Sequence, residues 1–231
     1  MFEISPTEWT AILLSLRVAI IATLVATPFG IALAWLLARR DFWGKSILDA
    51  LVHLPLVLPP VVTGYLLLLT FGKRGLVGGL LADYLGIVFA FRWTGAALAC
   101  GVMSFPLLVR PIRLSIEAID RRLEQAAETL GAAPWKVFFT VTLPLALPGV
   151  LAGMVLGFAK AIGEFGATIT FVSNIPGETQ TISSAIYSLI QTPDGDAAAG
   201  RLVIVSIVLA LGALIAAEWF ARRATARLHG N

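Results

Sequence analysis

Charged residues inside long apolar segments are the clearest candidates for chemistry in this chain. Lys160 and Glu164 are four residues apart, so on a helix they would share one face and form an ion pair. Arg17 lies early in the first apolar segment. Ionisable groups in such segments commonly mark a path for ions or solutes. One interpretation is that Arg17, Lys160 and Glu164 line a translocation path or vestibule, and the other is that Lys160 and Glu164 form a salt-bridged pair at the membrane interface, where basic side chains snorkel.

The sequence lacks the motifs of nucleotide-binding, metal-binding and redox-active proteins. The chain has no G-x-x-x-x-G-K-[ST] phosphate-binding loop, no HExxH and no CxxC. Its two histidines, His53 and His229, are far apart in sequence, and its one cysteine, Cys100, excludes an internal disulfide. We therefore expect no catalytic residue, no metal site and no cofactor bound by this chain. Any ATP would be hydrolysed by another subunit.

A polar segment, Gln125–Pro144, interrupts the apolar runs and reads QAAETLGAAPWKVFFTVTLP. Small residues at Ala126 and Ala127 would let a partner approach a helix closely. Gly131 can adopt a positive φ and end that helix. Trp135 in the next helix is a residue type enriched at interface hot spots. The pattern predicts a helix–turn–helix that binds a cytosolic partner; a solvated amphipathic loop is the alternative.

The aromatic residues of this segment can share one helical face, because they are three and four positions apart. We expect Trp135 to face the partner and Phe139 to face the chain's own membrane spans.

The composition identifies an integral membrane protein. The chain has 231 residues, of which 58% are hydrophobic and 13% charged, with a formal net charge of +3. A soluble domain carries about 25% charged residues. Because a membrane helix needs about 20 apolar residues, the sequence predicts an all-α membrane protein with about five spans in one domain, residues 1–231. The spans are Thr10–Ala38, Leu48–Phe71, Trp93–Val109, Leu145–Ile162 and Leu202–Phe220.

One further apolar segment, Leu76–Phe91, is short and carries Asp83 near its middle. If it crossed the membrane, only Arg92 would separate it from the next span, and one residue is too short for a turn between two spans. We therefore predict an interfacial or re-entrant element.

Prolines interrupt the second and third spans. A proline inside a helix removes a hydrogen bond and clashes with the preceding turn. Membrane helices tolerate this when neighbouring groups satisfy the freed carbonyls. The prolines are either packing kinks or hinges for alternating access. The candidate hinges are Pro55, Pro59, Pro60 and Pro106.

Lys and Arg residues concentrate in the loops on one side of the predicted spans, which predicts that this side is cytoplasmic. The N-terminus is then outside and the C-terminus inside. The richer set is Arg39, Arg40, Lys45, Arg110, Arg113, Arg121, Arg122, Lys136, Arg222, Arg223 and Arg227. The poorer set is Lys73, Arg74, Arg92 and Arg201. Arg17, Arg92, Lys160 and Arg201 could together bias an outer vestibule toward an anion.

The polar segment resembles the coupling loop of ATP-binding-cassette importer permeases. The family pattern is EAA, three residues, Gly, nine residues and I-x-L-P. The chain matches at Ala126, Ala127, Gly131, Leu143 and Pro144, and departs at Gln125 and Val141. Gln125 lacks the charge of the usual Glu, which leaves a salt bridge from that position in doubt. The resemblance implies a type I importer permease fold. It implies a coupling loop that includes Glu124, Gln125, Ala126, Ala127, Gly131, Trp135 and Pro144.

Longer stretches are similar to oxyanion permeases, and in particular to the molybdate permease family. They are Gly163–Ile182, His53–Leu68 and Pro6–Trp9. The resemblance implies a homodimer in the bacterial inner membrane, in contact with lipid and not with nucleic acid. It implies two copies of a cytoplasmic ATPase that uses ATP and Mg²⁺, and a periplasmic or lipid-anchored molybdate-binding protein. Tungstate, sulfate and thiosulfate are alternative cargoes. A channel would give no reason for the coupling loop, and a membrane-embedded enzyme would need clustered acid, base or metal groups.

Overall fold

The computed structural model describes residues 4–228, without the side chains of residues 217, 218 and 220–228. Arg222, Arg223 and Arg227 are among these side chains, and His229 lies outside the described residues. Within the described range the chain forms eleven α-helices, one π-helical turn and no β-strand. The helices are α1 (Pro6–Arg39), α2 (Lys45–Val57), α3 (Pro60–Phe71), α4 (Leu76–Leu85), α5 (Trp93–Glu117), α6 (Arg121–Thr129), α7 (Pro134–Val137), α8 (Leu143–Ile162), α9 (Gly166–Val172), α10 (Ile182–Leu189) and α11 (Asp196–Leu228). The π-helical turn, Phe138–Thr142, joins α7 to α8.

Four helical stretches of the described chain are long and apolar enough to cross a membrane. They are Pro6–Arg39, Trp93–Glu117, Pro134–Ile162 and Asp196–Ala216. The pair α2 and α3 adds a fifth candidate if the two helices form one broken span. The prediction of an all-α membrane protein with about five spans is confirmed.

The second predicted span is broken in two. The segment Leu48–Phe71 forms α2 and α3, whose axes differ by 115°. Leu58 is extended because the following proline disfavours helical backbone. Pro59 caps α3, and Pro60 is in its first turn, where a missing N–H costs no helix bond. Pro59 and Pro60 therefore lie at a true break.

The two other candidate hinges lie inside helices that continue past them. Pro55 is within α2 and Pro106 is within α5.

The first helix begins at a capping box. The Ser5 hydroxyl accepts from the backbone N–H of Glu8 at 3.2 Å, and the Ser5 N–H donates to the Glu8 carboxylate at 2.6 Å. Its 34 residues would extend about 51 Å. That length exceeds the roughly 30 Å of hydrocarbon in a bilayer. We infer that α1 projects beyond the hydrocarbon on at least one side.

Helix α5 is the centre of the bundle, because α1 and α8 both pack against it. In its most apolar window 61% of the residues are buried, compared with 11% for α11. Glycines of α8 at four-residue intervals allow the close approach. A Cβ at Gly149 would overlap Ser115, and one at Gly153 would lie 2.5 Å from the Leu108 carbonyl oxygen. This small-residue packing is typical of helix contacts in membranes.

Helix α4 occupies the doubtful apolar segment. It covers Leu76–Leu85 and ends at Gly86, whose φ is +66°. Ten residues extend only about 15 Å. The helix is therefore too short to cross the hydrocarbon by itself, and its interfacial or re-entrant position stays a prediction.

Candidate functional site

The polar segment before α8 folds as two short helices joined by a tight turn, as predicted. Helix α6 begins at Asp120, whose carboxylate accepts from the Arg122 N–H at 2.9 Å. None of the α6 residues is buried. Pro134 is the first residue of α7. The loop formed by α6, the turn and α7, which we call the docking loop, therefore projects from the bundle.

Gly131 supplies the backbone shape that the turn requires. Its φ is +85°, a conformation that glycine adopts without steric cost. Its N–H donates to the Glu128 carbonyl at 2.9 Å, and the Ala132 N–H donates to the Ala127 carbonyl at 3.2 Å. These two bonds form a Schellman motif, which satisfies the last carbonyls of α6.

The docking loop exposes large apolar side chains. Leu130 is 89% exposed and Trp135 is 69% exposed, while Leu123 is also more than half exposed. Apolar side chains clustered on a polar projection commonly mark a protein interface. Trp135 is therefore exposed, as contact with a partner would require, and that contact stays a prediction.

The aromatic residue that faces the chain's own spans is Phe138, not Phe139. The Phe138 ring packs edge-on against Trp35 of α1, with centroids 5.9 Å apart. Phe139 is 59% exposed, and its recorded ring contact is with Phe138. The prediction that Phe139 faces the spans is therefore wrong, and both rings lie at the start of the π-helical turn.

A largely shielded ion pair ties the docking loop to the bundle. Arg39 Nε at the end of α1 lies 3.0 Å from Glu124 Oε2 of α6. The hydroxyl of Thr142, the last residue of the π-helical turn, donates to Glu124 Oε1 at 2.6 Å. The side chains of Arg39 and Glu124 are only 8% and 15% exposed. We call these three side chains the clasp, because they join α1, α6 and the start of α8.

Two backbone contacts reinforce the clasp. Arg39 also donates to the Ile119 carbonyl at 3.2 Å. Arg121 donates to the Ala38 carbonyl at 3.4 Å. Displacement of α6 relative to the end of α1 would therefore break several polar contacts at once.

The remaining residues of the family pattern lie along the exposed side of this structure. Gln125 and Ala126 are exposed in α6, and Ala127 is half-buried. Pro144 lies in the first turn of α8. The neighbouring Glu124 forms the ion pair that the sequence left in doubt at position 125.

The pair Lys160 and Glu164 is in contact, but not as a pair on one helix face. Lys160 is in the last turn of α8, while Glu164 lies beyond its end at Ile162. Their charged groups are 2.6 Å apart, and the Glu164 side chain is 1% exposed. The other Glu164 oxygen accepts from the Ala167 N–H at 3.0 Å. The chain turns after Ile162 and brings the carboxylate back over the helix end.

Two other charged contacts lie at the same end of the bundle. Arg17 is placed 3.7 Å from the centroid of the Trp93 ring, at the start of α5. Arg201 donates to the Glu8 carboxylate at 2.7 Å and so joins the starts of α11 and α1. The structure therefore places Arg17 on Trp93, and Lys160 with Glu164.

Sequence reasoning missed several of these partners. Arg39 was counted only as a loop charge, and Thr142 was not considered. Neither position carries a local signal, because their partner Glu124 is 85 residues from Arg39 and 18 from Thr142. The contact of Glu8 with Ser5 was predictable, because the two residues have capping-box spacing. The contact of Glu8 with Arg201 was not.

Comparison with known proteins gives a family match over most of the chain. Residues 26–226 match the family described as the binding-protein-dependent transport system inner membrane component. The chain is 63% identical to the molybdenum transport system permease protein ModB of Escherichia coli strain K12, over 93% of this chain and 94% of that protein. It is 57% identical to the protein of the same description from Haemophilus influenzae, over 97% of this chain and 98% of that protein.

The fold also matches a solved structure. The chain aligns with a chain of a bacterial ABC transporter involved in the import of the acidic polysaccharide alginate, with a TM-score of 0.74. The match covers 96% of this chain and 81% of that chain at 21% identity. At that identity the likeness shows a shared fold and nothing about cargo.

Proposed function

This chain belongs to the family of binding-protein-dependent transport system inner membrane components, and from that premise we propose that it is the permease subunit of an ATP-driven importer of molybdate. The identity of 63% to a molybdenum transport permease over nearly the whole chain supports this cargo. Tungstate, sulfate and thiosulfate are the tetrahedral or related oxyanions that compete with this assignment.

The structure of the docking loop is the main support for the proposed mechanism. It exposes Leu130 and Trp135, and the clasp connects it to α1 and α8. We propose that it docks in a groove of a cytoplasmic ATPase and moves the helices when that ATPase closes. In this role, apolar anchors give affinity and the clasp gives stiffness. The proposed coupling residues are Glu124, Gln125, Ala126, Ala127, Gly131, Trp135 and Pro144.

The chain itself has the role of a transport subunit and not of an enzyme. Its sequence contains no G-x-x-x-x-G-K-[ST] loop to hold a nucleotide. We propose that two copies of a separate ATPase use ATP and Mg²⁺ on the cytoplasmic side. A periplasmic or lipid-anchored molybdate-binding protein would deliver the cargo on the other side.

A second copy of the chain would complete the pathway. Helices α2 and α3 expose many apolar side chains, including Leu51, Val57, Val61 and Leu69. Such a surface is unfavourable in water, so lipid or another copy must cover it. We propose that alternating access changes the angle between α2 and α3 at Pro59 and Pro60, with smaller adjustments at Pro55 and Pro106.

The proposed site is a bacterial inner membrane, with the N-terminus outside and the C-terminus in the cytoplasm. The two ends of the bundle differ in charge as this orientation requires. The clasp end gathers Arg39, Arg40 and Arg121 around the docking loop, and a cavity of about 250 Å³ lies between them. The Lys/Arg-rich side of a membrane protein faces the cytoplasm.

Reconstitution of the purified complex tests the proposal. The chain is co-expressed with a candidate cytoplasmic ATPase and a candidate molybdate-binding protein from the same organism, purified with its bound subunits and inserted in liposomes. Molybdate-loaded binding protein should stimulate ATP hydrolysis and drive uptake of radioactive molybdate. Unlabelled tungstate should compete for uptake more strongly than unlabelled sulfate.

Complexes whose ATPase cannot hydrolyse ATP provide the control. Uptake that persists without hydrolysis would indicate a channel. Stronger competition by sulfate than by molybdate would assign the chain to sulfate import.

A further inference from the structure

The ion pair Lys160–Glu164 lies where two breaks in the helical bundle meet. Glu164 is in the break between α8 and α9, and the break between α2 and α3 lies against it. A Cβ at Gly166 would be 2.7 Å from the Pro60 side chain, and one at Gly64 would be 2.5 Å from the Ala167 carbonyl oxygen. The broken span therefore contacts the residues that directly follow the ion pair.

The two charges of the pair differ in their accessibility. The Lys160 side chain is 30% exposed, whereas the Glu164 side chain is 1% exposed. Glu164 is held from two directions, by the Lys160 ammonium at 2.6 Å and by the Ala167 N–H at 3.0 Å. Lys160 is therefore the partly accessible member of the pair, and Glu164 is enclosed by the protein.

The pair is also far from the docking loop. Lys160 is seventeen residues after Leu143, the first residue of α8, a distance of about 26 Å along the helix. It lies toward the end of the bundle that holds Arg17 on Trp93 and Arg201 on Glu8. In the proposed orientation this is the end at which the cargo enters.

We propose that Lys160 binds the oxyanion during transport and that Glu164 forms an ion pair with Lys160 when no cargo is present. The inference rests on the proposed function, because it requires an anionic cargo. The anion takes the place of Glu164 on the Lys160 ammonium, and Glu164 then keeps only its bond to the Ala167 N–H, so the cost of a buried carboxylate without its cation opposes cargo binding. The carboxylate then competes for Lys160 and displaces the anion. The site therefore holds its cargo weakly, as a pathway that must release it requires.

Removal of both charges gives the sharpest variant. Lys160→Met alone would leave an unpaired buried carboxylate, which is strongly destabilising. The double variant Lys160→Met, Glu164→Gln avoids this cost and should assemble with the ATPase. We expect it to hydrolyse ATP but to lose molybdate uptake by about tenfold or more, since a close contact between unit charges near a protein surface exceeds 1.4 kcal/mol. Lys160→Arg should retain uptake.

A charge exchange separates cargo binding from a structural role. Lys160→Glu, Glu164→Lys restores an ion pair but buries the cation and exposes the carboxylate. The proposal expects an assembled complex without uptake. Uptake at the wild-type rate by the exchanged variant, or by the double neutral variant, would overturn it.

Direct binding tests the competing role of Glu164. Radioactive molybdate is dialysed to equilibrium against the purified permease–ATPase complex in detergent, without the binding protein. Glu164→Gln should bind about tenfold more tightly than wild type, because its competitor is gone. Equal or weaker binding by Glu164→Gln would contradict the inference. If the wild-type complex imports neither molybdate, tungstate nor sulfate, the proposed function itself fails; normal wild-type uptake with normal uptake by the neutral variant defeats only the inference.

Discussion

The guanidinium of Arg39 at the end of α1 lies 3.0 Å from the carboxylate of Glu124 in α6, and both side chains are almost fully buried. This contact joins the docking loop to the first membrane helix. Thr142 completes the clasp at the start of α8.

Loss of the clasp should uncouple the docking loop from the bundle. Arg39→Met leaves the Glu124 carboxylate buried without its cation and should lower the free energy of unfolding by about 3 kcal/mol. We expect ATP hydrolysis to continue with reduced molybdate uptake. Thermal unfolding in detergent and uptake in liposomes measure the two effects. Asp41→Asn is the matched control, because it removes an ion pair with Lys45 in which the carboxylate is exposed to solvent, and such surface pairs contribute little to stability. Equal effects of the two substitutions would contradict the role of the clasp.

The turn at Gly131 should tolerate asparagine but not valine. Its φ of +85° is strained for any side chain and most strained for a β-branched one. Gly131→Val should insert in the membrane yet fail to couple hydrolysis to uptake. Gly131→Asn should keep most activity, because asparagine adopts positive φ more readily. Uptake assays at matched expression compare the two variants. Normal uptake by Gly131→Val would show that the turn geometry is dispensable.

Trp135 and Phe138 should have different effects when truncated. Trp135 is 69% exposed, so Trp135→Ala should weaken ATPase association by about 1–4 kcal/mol and leave the permease folded. Phe138 packs on Trp35, so Phe138→Ala should destabilise the permease itself. The yield of detergent-stable permease and the amount of bound ATPase are measured separately. Full ATPase binding by Trp135→Ala would show that this residue is no anchor.

The packing of α8 on α5 should be sensitive to added volume. Gly153→Val would place atoms against the Leu108 carbonyl and should cost about 1–3 kcal/mol by overpacking. Gly200→Val in α11 is a suitable control, since no atom beyond its own helix backbone lies within 4 Å of the Cβ position. Thermal unfolding of both variants gives the comparison. A Gly153 variant as stable as the Gly200 variant would argue against close packing.

The proposed orientation predicts opposite labelling of two exposed positions. Leu130 in the docking loop and Tyr84 in α4 are 89% and 82% exposed. Leu130→Cys should react with an impermeant reagent only from the cytoplasmic side, and Tyr84→Cys only from outside. The single native cysteine, Cys100, is buried and provides a low background. Labelling of both positions from one side would refute the topology.

Local sequence patterns predicted most of the fold and the turn of the docking loop. Pro134 and Gly131 act through their own backbone preferences, so their positions were readable without a structure. The apolar runs similarly predicted the long helices. The break at Pro59 and Pro60 was recognised as a candidate hinge, but its angle depends on the packing of α3 against α9 and was not predictable.

Long-range partners were not predictable. Nothing near Arg39 in the sequence indicates Glu124, and the charge at position 124 was noted without a partner. The position of Glu164 depends on where α8 ends, which helical spacing alone does not determine. The sequence analysis assigned Phe139 to the membrane spans, but the ring that packs on α1 is Phe138, in a π-helical turn that has no simple sequence signature.

That π-helical turn sets the rotational phase between the docking loop and the span that follows it. Each residue of an α-helix advances about 100° around the axis, so the wider turn over Phe138–Thr142 offsets α7 from α8. The direction in which Trp135 points is therefore fixed relative to the α8 glycines by this one turn. A one-residue insertion or deletion here would rotate the docking loop about the α8 axis and break the contacts of Thr142 with Glu124 and of Phe138 with Trp35.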